Sequence, residues 1–230
     1  MTAKTAKTPK ILKPLYEDEH ILALNKVRGM LTVGNKPQQK NLLDKVKKEY
    51  AKQNIRLRPL NRLDRGTSGI VMFAKTREAF KQAVEEKKFS DTTKTYLALI
   101  KGIPTLRTNT ITFTLPSRQD QRKLLPARTK YTITETYNFP GGKASLVEAV
   151  ISSGRFHQIR RHFNKIHHPL LMDRDYMDRK DYKHFQKAVT FRNYYLHAYR
   201  IEFKHFVTGE NVIIEAPIPK DLKTVLKALS

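Results

Sequence analysis

Asn61-Arg62-Leu63-Asp64-Arg65-Gly66-Thr67-Ser68-Gly69-Ile70-Val71-Met72-Phe73-Ala74-Lys75-Thr76 holds a candidate reactive group together with the signal for how it is held. Asp64 stands between Arg62 and Arg65, and the run Gly66 to Gly69 turns the chain tightly before the apolar stretch Ile70 to Ala74. The pattern predicts a loop feeding a buried strand. Glycine takes positive φ and lets backbones approach closely, so an acid on such a turn is fixed at the edge of a cleft. On the local residues alone, the commoner reading is an Asp that hydrogen-bonds its own turn.

The composition bounds what surrounds this loop. A chain of 230 residues is long enough for one substantial domain or two small ones. Lys and Arg number 45 against 21 Asp and Glu, a formal charge of +24 that exceeds what solubility needs and predicts a polyanionic partner. Nucleic acid is the first candidate. No apolar run approaches a membrane span and neither end reads as an amphipathic anchor, so no membrane partner is expected. Residues 1–12 read as a disordered basic tail rather than a secretory signal, and cytoplasm is the default compartment. The absence of cysteine excludes disulfides, thiolate nucleophiles and cysteine-bound metals.

Along the chain, Leu15–His20, Ile21–Lys26 and Leu31–Val33 read as short hairpin strands with a turn at Arg28-Gly29. Asn41 suits the cap of a helix to about Gln53, with Leu42, Leu43, Val46 and Tyr50 on one face. Between Lys36 and Arg58 eight basic residues face two acids, either a solvated face or part of an RNA-facing surface. A helix is expected from about Arg77 to Lys88. Thr93–Ile100 alternates, with Tyr96, Ala98 and Ile100 on one face and Thr95, Leu97 and Leu99 on the other. Residues 111–126 read as a basic irregular connection, with Arg118, Arg122, Lys123 and Arg128 near one another in sequence, either a substrate-contacting loop or simply a mobile one. Strands follow at Tyr131–Tyr137 and Ala144–Ile151, turning at Pro140-Gly141-Gly142.

After Gly154 a helix is expected, with Phe156, Ile159, Phe163 and Ile166 on its buried face and Arg155, Arg160, Arg161 and Lys165 on the others. Without an acid among them, those cations suit an anion opposite: phosphate, or a carboxylate such as Asp64. A charged insertion then runs to about Lys187, with strands at Arg192–His205 and Val212–Ala216 before a last short helix. The expected class is α+β, a mixed, mainly antiparallel sheet with flanking helices, in a single domain over residues 13–225.

Metal chemistry is set aside. His157, His162 and His167 lie five apart and do not stack on one helical face. Asp173, Asp175 and Asp178 lack the glycine turn and terminal Glu of a calcium loop. Neither a phosphate-binding Gly-x-x-x-x-Gly-Lys loop nor a Gly-x-Gly-x-x-Gly fingerprint is present.

Arg62-Leu63-Asp64 followed by Thr67-Ser68-Gly69 and Phe73-Ala74-Lys75 resembles the active-site signature of the RluA family of pseudouridine synthases. Three further blocks follow in the family's order: Lys94-Thr95-Tyr96-Leu97-Ala98-Leu99-Ile100-Lys101-Gly102, Gly154-Arg155-Phe156-His157-Gln158-Ile159-Arg160, and Leu196-His197-Ala198. The resemblance covers roughly Leu15 to Pro219 and leaves no room for an added S4-type RNA-binding module. It departs from the family at Lys26-Val27, where Lys-Pro is usual, and at Met172, where Gly is more common.

The resemblance implies a cofactor-independent isomerase that converts uridine in RNA to pseudouridine, with Asp64 as nucleophile or base, Tyr96 packed against the uracil and Arg160 gripping Asp64 through two parallel hydrogen bonds. Arg62 is implied either to fill the space left by an extruded base or to contact phosphate. Leu196 either lines the base pocket or belongs to the core. Arg65, Arg155 and Arg161 complete the expected RNA contacts, while His157 and Gln158 read either as supporting the site residues from behind or as structural. Compactness, Arg160-Arg161-His162 and His168-Pro169 are most similar to the branch acting on transfer RNA, with large-subunit ribosomal RNA as the alternative. A monomer without metal or small-molecule cofactor is expected. The rival reading is a non-catalytic RNA-binding protein or RNA chaperone on the same fold.

Overall fold

A computed structural model describes residues 12–230 except 35, 37, 38, 54, 118, 119 and 121. The expected N-terminal tail, apart from Leu12, and Arg118 lie outside the described residues.

The first strands, β1 (Pro14–Glu17) and β2 (Ile21–Lys26), pair antiparallel. Leu31–Val33 does not extend this hairpin: Leu31 makes one isolated bridge to Asn41, and the chain then bends. Helix α1 (Leu42–Tyr50), extended by a 3-10 turn to Gln53, is capped by Asn41, whose side chain accepts from the Asp44 N–H. Leu42, Val46 and Tyr50 are its buried residues, as the three- and four-residue spacing predicts.

Short β3 (Arg58–Pro59) leads through the Asp64 loop into β4 (Ser68–Ala74), whose seven residues are all buried. The helix expected to about Lys88 is irregular. It comprises α2 (Arg77–Phe80), a π turn to Glu85 and a 3-10 turn at Lys88–Asp91.

Strand β5 (Thr93–Lys101) separates two cores as its alternation predicts: Tyr96, Ala98 and Ile100 join one, Leu97 and Leu99 the other. The expected irregular connection at 111–126 is instead a long hairpin of β6 (Thr108–Pro116) and β7 (Leu124–Phe139). Threonine at 108, 110, 112 and 114 alternates with Ile111, Phe113 and Leu115, a β-branched period-two pattern that stays extended although one face is wet. Strand β8 (Gly142–Ile151) returns beside β7.

Helix α3 (Gln158–Lys165) begins two residues after Phe156. Within the charged insertion lies a helix that was not anticipated, α4 (Arg179–Ala188), capped by Asp178. Strand β9 (Leu196–Lys204) starts four residues later than expected, β10 (Asn211–Glu215) pairs with it, and α5 (Lys220–Leu229) runs past residue 225.

The described strands form one ten-stranded sheet whose main path is β1-β2-β4-β9-β5-β8-β7-β6. Every pairing is antiparallel except β4 with β9, which meet through Ser68↔His197 and Gly69↔Ala198. The class is therefore α+β, mainly antiparallel, as the resemblance implied. Helices α1 and α3 cover one face; α4 and α5 pack on the other. No helix of the described residues is long and apolar enough to cross a membrane.

Met172, where glycine is more usual in the family, has φ +66 and is fully buried. The glycine-like turn is thus retained by a residue with a Cβ, which costs about 1–2 kcal/mol of backbone strain. Burial of the methionine side chain, worth about 1.5–3 kcal/mol, offsets it.

Candidate active site

Asp64 is fixed from several directions. The Thr67 N–H donates to its carbonyl at 3.1 Å and closes the turn. The buried Thr32 hydroxyl donates to the Leu63 carbonyl and accepts from the Leu63 N–H, both at 3.0 Å. Asn61 ties the loop to β4, its amide donating to Ile70 O at 3.1 Å and its carbonyl accepting from Met72 N at 2.8 Å. Arg65 is stitched to the turn before α1: Gly29 N donates to Arg65 O at 2.7 Å, and Arg65 Nε donates to Gly29 O at 3.0 Å.

The two glycines do the work their spacing suggested. A Cβ on Gly66 would come within 2.7 Å of the Tyr194 ring, and one on Gly69 (φ +110) within 2.2 Å of Ala198 O. β4 can therefore approach β9 this closely only with glycine at 69. The buried Lys26, first residue of the departed Lys-Pro pair, donates to Met30 O at 2.8 Å and to Val27 O at 3.2 Å without proline at 27. Burial lowers its ammonium to about 8, against the opposing pull of Asp64.

Asp64 lies on the wall of a cleft of about 1460 Å³. Tyr96, Arg160, Arg62, Arg65, Leu196 and Arg155 line the same cleft. Arg161 does not. It donates from Nε to Tyr176 Oη at 2.9 Å and stacks its guanidinium 5.1 Å from the Phe156 ring centre. The exposed Arg62 and Arg65 stand at the rim, whereas Leu196 and Tyr96 are buried.

Arg160 departs from its expected geometry. It lies on the buried side of α3, 3% exposed, and its two parallel hydrogen bonds go to Asp173 rather than Asp64. Nε to Oδ2 and Nη2 to Oδ1 are each 2.7 Å, and Nη2 also donates to Asp175 Oδ2 at 2.6 Å. Nη1 remains on the cleft side, 3.9 Å from Asp64 Oδ2. The reason is burial: a guanidinium enclosed this completely requires a buried counter-charge, and Asp173 is fully buried beside it. Burial is the largest influence and disfavours the charged guanidinium, but the hydrogen bonds that Arg160 donates to Asp173 and Asp175, with the charge of Asp173 and the nearby Tyr194, together outweigh it and the group is held protonated. The Tyr194 and Tyr176 rings flank it, their centres 4.4 and 4.8 Å from Cζ.

Tyr96 follows a bulge, where the β5–β9 register shifts between Thr95 and Tyr96. Burial, reinforced by the Asp64 carboxylate, pushes its phenol up, so it presents a neutral ring to the cleft. Tyr194 is likewise pushed up to about 12 by burial, with Arg160 opposing.

Sequence reasoning missed Asp173, Asp175 and Tyr194; His157, read either as supporting the site or as structural, lies with its Nε2 3.5 Å from Asp64 Oδ2. One signal was available: three acids at 173, 175 and 178 stand close together in a chain of charge +24. Two of them serve Arg160 and the third caps α4. Among the described residues no three His, Cys, Asp or Glu side chains are arranged to hold a metal ion.

A family model described as RNA pseudouridylate synthase matches residues 20–165. Among curated proteins, the ribosomal large subunit pseudouridine synthase C of Pasteurella multocida is 32% identical, over 94% of this chain and 67% of that protein. The enzyme of the same name from Escherichia coli K12 is also 32% identical, over 94% of this chain and 69% of its own length. Among solved structures, human RNA pseudouridylate synthase domain containing 1 superposes with a TM-score of 0.71 at 21% identity, covering 96% of this chain and 95% of that one. Human RNA pseudouridylate synthase domain containing 4 does so at 0.73 and 18%, covering 94% and 92%; both are likenesses of fold. With its Asp64 loop inside the matched region, the chain belongs to the RNA pseudouridylate synthase family, RluA type, isomerases that convert uridine in RNA to pseudouridine.

Proposed function

We propose that this protein isomerises uridine in large-subunit ribosomal RNA, with Asp64 as the reacting carboxylate. The observation that carries the catalytic part is Asp64 on a pinned turn, exposed to the cleft and faced by the Nη1 of a buried arginine. The reaction breaks the N-glycosidic bond, turns the uracil and rejoins ribose through carbon 5, with no net oxidation or reduction. One carboxylate serves as nucleophile, or as the base for cleavage and proton removal. Tyr96 and Leu196 offer the flat, apolar walls a uracil ring requires. Extruding the base costs a few kcal/mol, which phosphate contacts from rim arginines Arg62 and Arg65 help offset.

The relatives' names support ribosomal RNA as substrate. Transfer RNA, favoured by the resemblance, rested partly on Arg160-Arg161-His162 and His168. Arg160 is committed to Asp173, the buried His162 to the Thr129 hydroxyl at 2.9 Å, and His168 Nδ1 to Lys101 O at 2.9 Å. These side chains are engaged within the protein. A substrate of this kind agrees with action in the cytoplasm.

The test incubates ribosomal and transfer RNA from cells lacking the gene with wild-type protein and with Asp64→Asn, then maps new pseudouridine. A site in large-subunit RNA made by the wild type alone is the expected result. A site confined to transfer RNA overturns the substrate, and undiminished RNA binding without any new site favours the non-catalytic binder.

A further inference from the structure

A second chain of side chains, distinct from the Arg160–Asp173 pair, ends on the same carboxylate. Arg161 Nε donates to Tyr176 Oη at 2.9 Å, Tyr176 Oη lies 2.9 Å from His157 Nδ1, and His157 Nε2 lies 3.5 Å from Asp64 Oδ2. The first bond has a fixed direction, because a guanidinium has donors and no acceptor. The phenolic oxygen therefore accepts from Arg161 and directs its own proton elsewhere. Among the described residues, His157 Nδ1 is the acceptor within reach. The phenol could instead accept from an Nδ1–H, but that tautomer would leave a bare Nε2 facing the Asp64 carboxylate at 3.5 Å, two acceptors without a proton between them. The arrangement that satisfies both contacts has Nδ1 accepting and the hydrogen of a neutral His157 on Nε2.

The imidazole's surroundings keep it neutral. Burial lowers it from the ordinary histidine value; Asp64 opposes this, and Arg160 and Arg161 reinforce it. Arg160 Nη1 lies 3.1 and 3.2 Å from the two ring nitrogens. Near-equal distances put Nη1 over the ring face, since an in-plane position would collide with Cε1. The in-plane directions of Nδ1 and Nε2 stay open to Tyr176 and Asp64. Phe156 stacks on His157 with centres 3.8 Å apart, and His157 itself sits at φ +53. A histidine in the left-handed region is uncommon and costs about 1–3 kcal/mol. The packing around it imposes one ring orientation.

We propose that His157 is a positioning residue for Asp64, its Nε2–H tautomer set by Arg161 through Tyr176 and its N–H steering the carboxylate's Oδ2. This rests on Asp64 being the reacting carboxylate. The 3.5 Å separation is long for a hydrogen bond. Such bonds are commonly long before substrate enters and tighten in the complex. The proposal also gives Arg161, absent from the cleft wall, a route to the chemistry.

The geometry makes Asn and Gln informative at 157. The amide nitrogen of Asn matches Nδ1 and reaches toward Tyr176, whereas that of Gln matches Nε2 and reaches Asp64. Asn also tolerates the left-handed backbone, so folding is retained. In single-turnover assays on the RNA found above, His157→Asn should lower the rate at least about tenfold at unchanged RNA affinity, and His157→Gln should recover to within about threefold of wild type. Nitrogen-15 NMR of labelled histidine should find the wild-type proton on Nε2 and a mixture of tautomers in Tyr176→Phe. Wild-type rates in His157→Asn, equal slowing by Asn and Gln, or a wild-type Nδ1–H would each overturn the proposal. Asp64→Asn, assayed alongside, separates the failures: activity in that variant sinks the reading of Asp64, whereas the tautomer is read without catalysis.

Discussion

Replacing Arg160 by lysine tests the array most directly, because it keeps the charge and removes the fork. Arg160 makes two 2.7 Å bonds to Asp173 while holding Nη1 at 3.9 Å from Asp64. A lysine ammonium on the same stem is a single point and cannot serve both carboxylates. If it stays with Asp173, one buried charge-assisted bond is lost, about 1.5–3 kcal/mol. For a chain of this size that lowers Tm by about 3–12 °C. The cleft loses a cation near Asp64. Two unit charges 4 Å apart interact by about 4 kcal/mol at an effective dielectric of 20. Asp64 is about one-third exposed, with a side-chain accessibility of 33%, so solvent screening discounts this strongly. Taking roughly 2 kcal/mol of it as lost in the transition state predicts about a 30-fold fall in kcat. Thermal unfolding gives the first number and single-turnover pseudouridine formation the second, with RNA affinity measured separately. Turnover within about threefold of wild type would refute the assignment of Arg160 to Asp64. A loss confined to RNA affinity would make it a phosphate contact instead.

Thr32→Val leaves the Leu63 N–H and carbonyl without the hydroxyl that serves both; stability should fall by about 1–3 kcal/mol in denaturant titrations, and kcat should drop at unchanged RNA affinity as the Asp64 loop loosens. Gly69→Ala forces a Cβ to within 2.2 Å of Ala198 O at a positive φ, so a loss of about 3 kcal/mol is expected and a neutral substitution would refute the close β4–β9 approach. Burial pushes the imidazoles of His162 and His197 down to about 4, while in the unfolded chain they titrate near 6.5. The unfolded state then binds more protons between those values, so stability is full above about pH 6.5 and falls toward pH 4, by about 2 kcal/mol per histidine at pH 5. His162→Gln should reduce the loss between pH 7 and pH 5 by that amount in thermal unfolding, and an unchanged loss would show that His162 is not the titrating group.

What could be read from the chain was local. The Asn41 cap, the two faces of Thr93–Ile100 and the tight turn after Asp64 follow from neighbours within a few residues. Strand β6 and the start of β7 were missed, although the later part of β7 at Tyr131–Tyr137 was read as a strand, because their outer face is polar and their register depends on a partner strand rather than on apolar alternation across both faces. Arg160's partner was missed for another reason. On helical spacing alone Arg160 falls among solvated cations, and what buries it is Asp173, brought alongside by the turn through Met172. Arg161 belonged by spacing to the same basic face, yet tertiary packing turned it onto Tyr176.

The parallel contact of β4 with β9 is two residue pairs long, and the residues of the site divide across it. Asp64 comes from the wing that contains β2 and β4, whereas Tyr96, Arg160 and Leu196 come from the wing built on β5, β8 and β9. A nascent chain that has completed the first wing holds the acid without its cation or its aromatic wall. With the roles proposed above, isomerase activity is a late product of synthesis. A half-made chain holds the acid alone, without the cation and ring that complete the site.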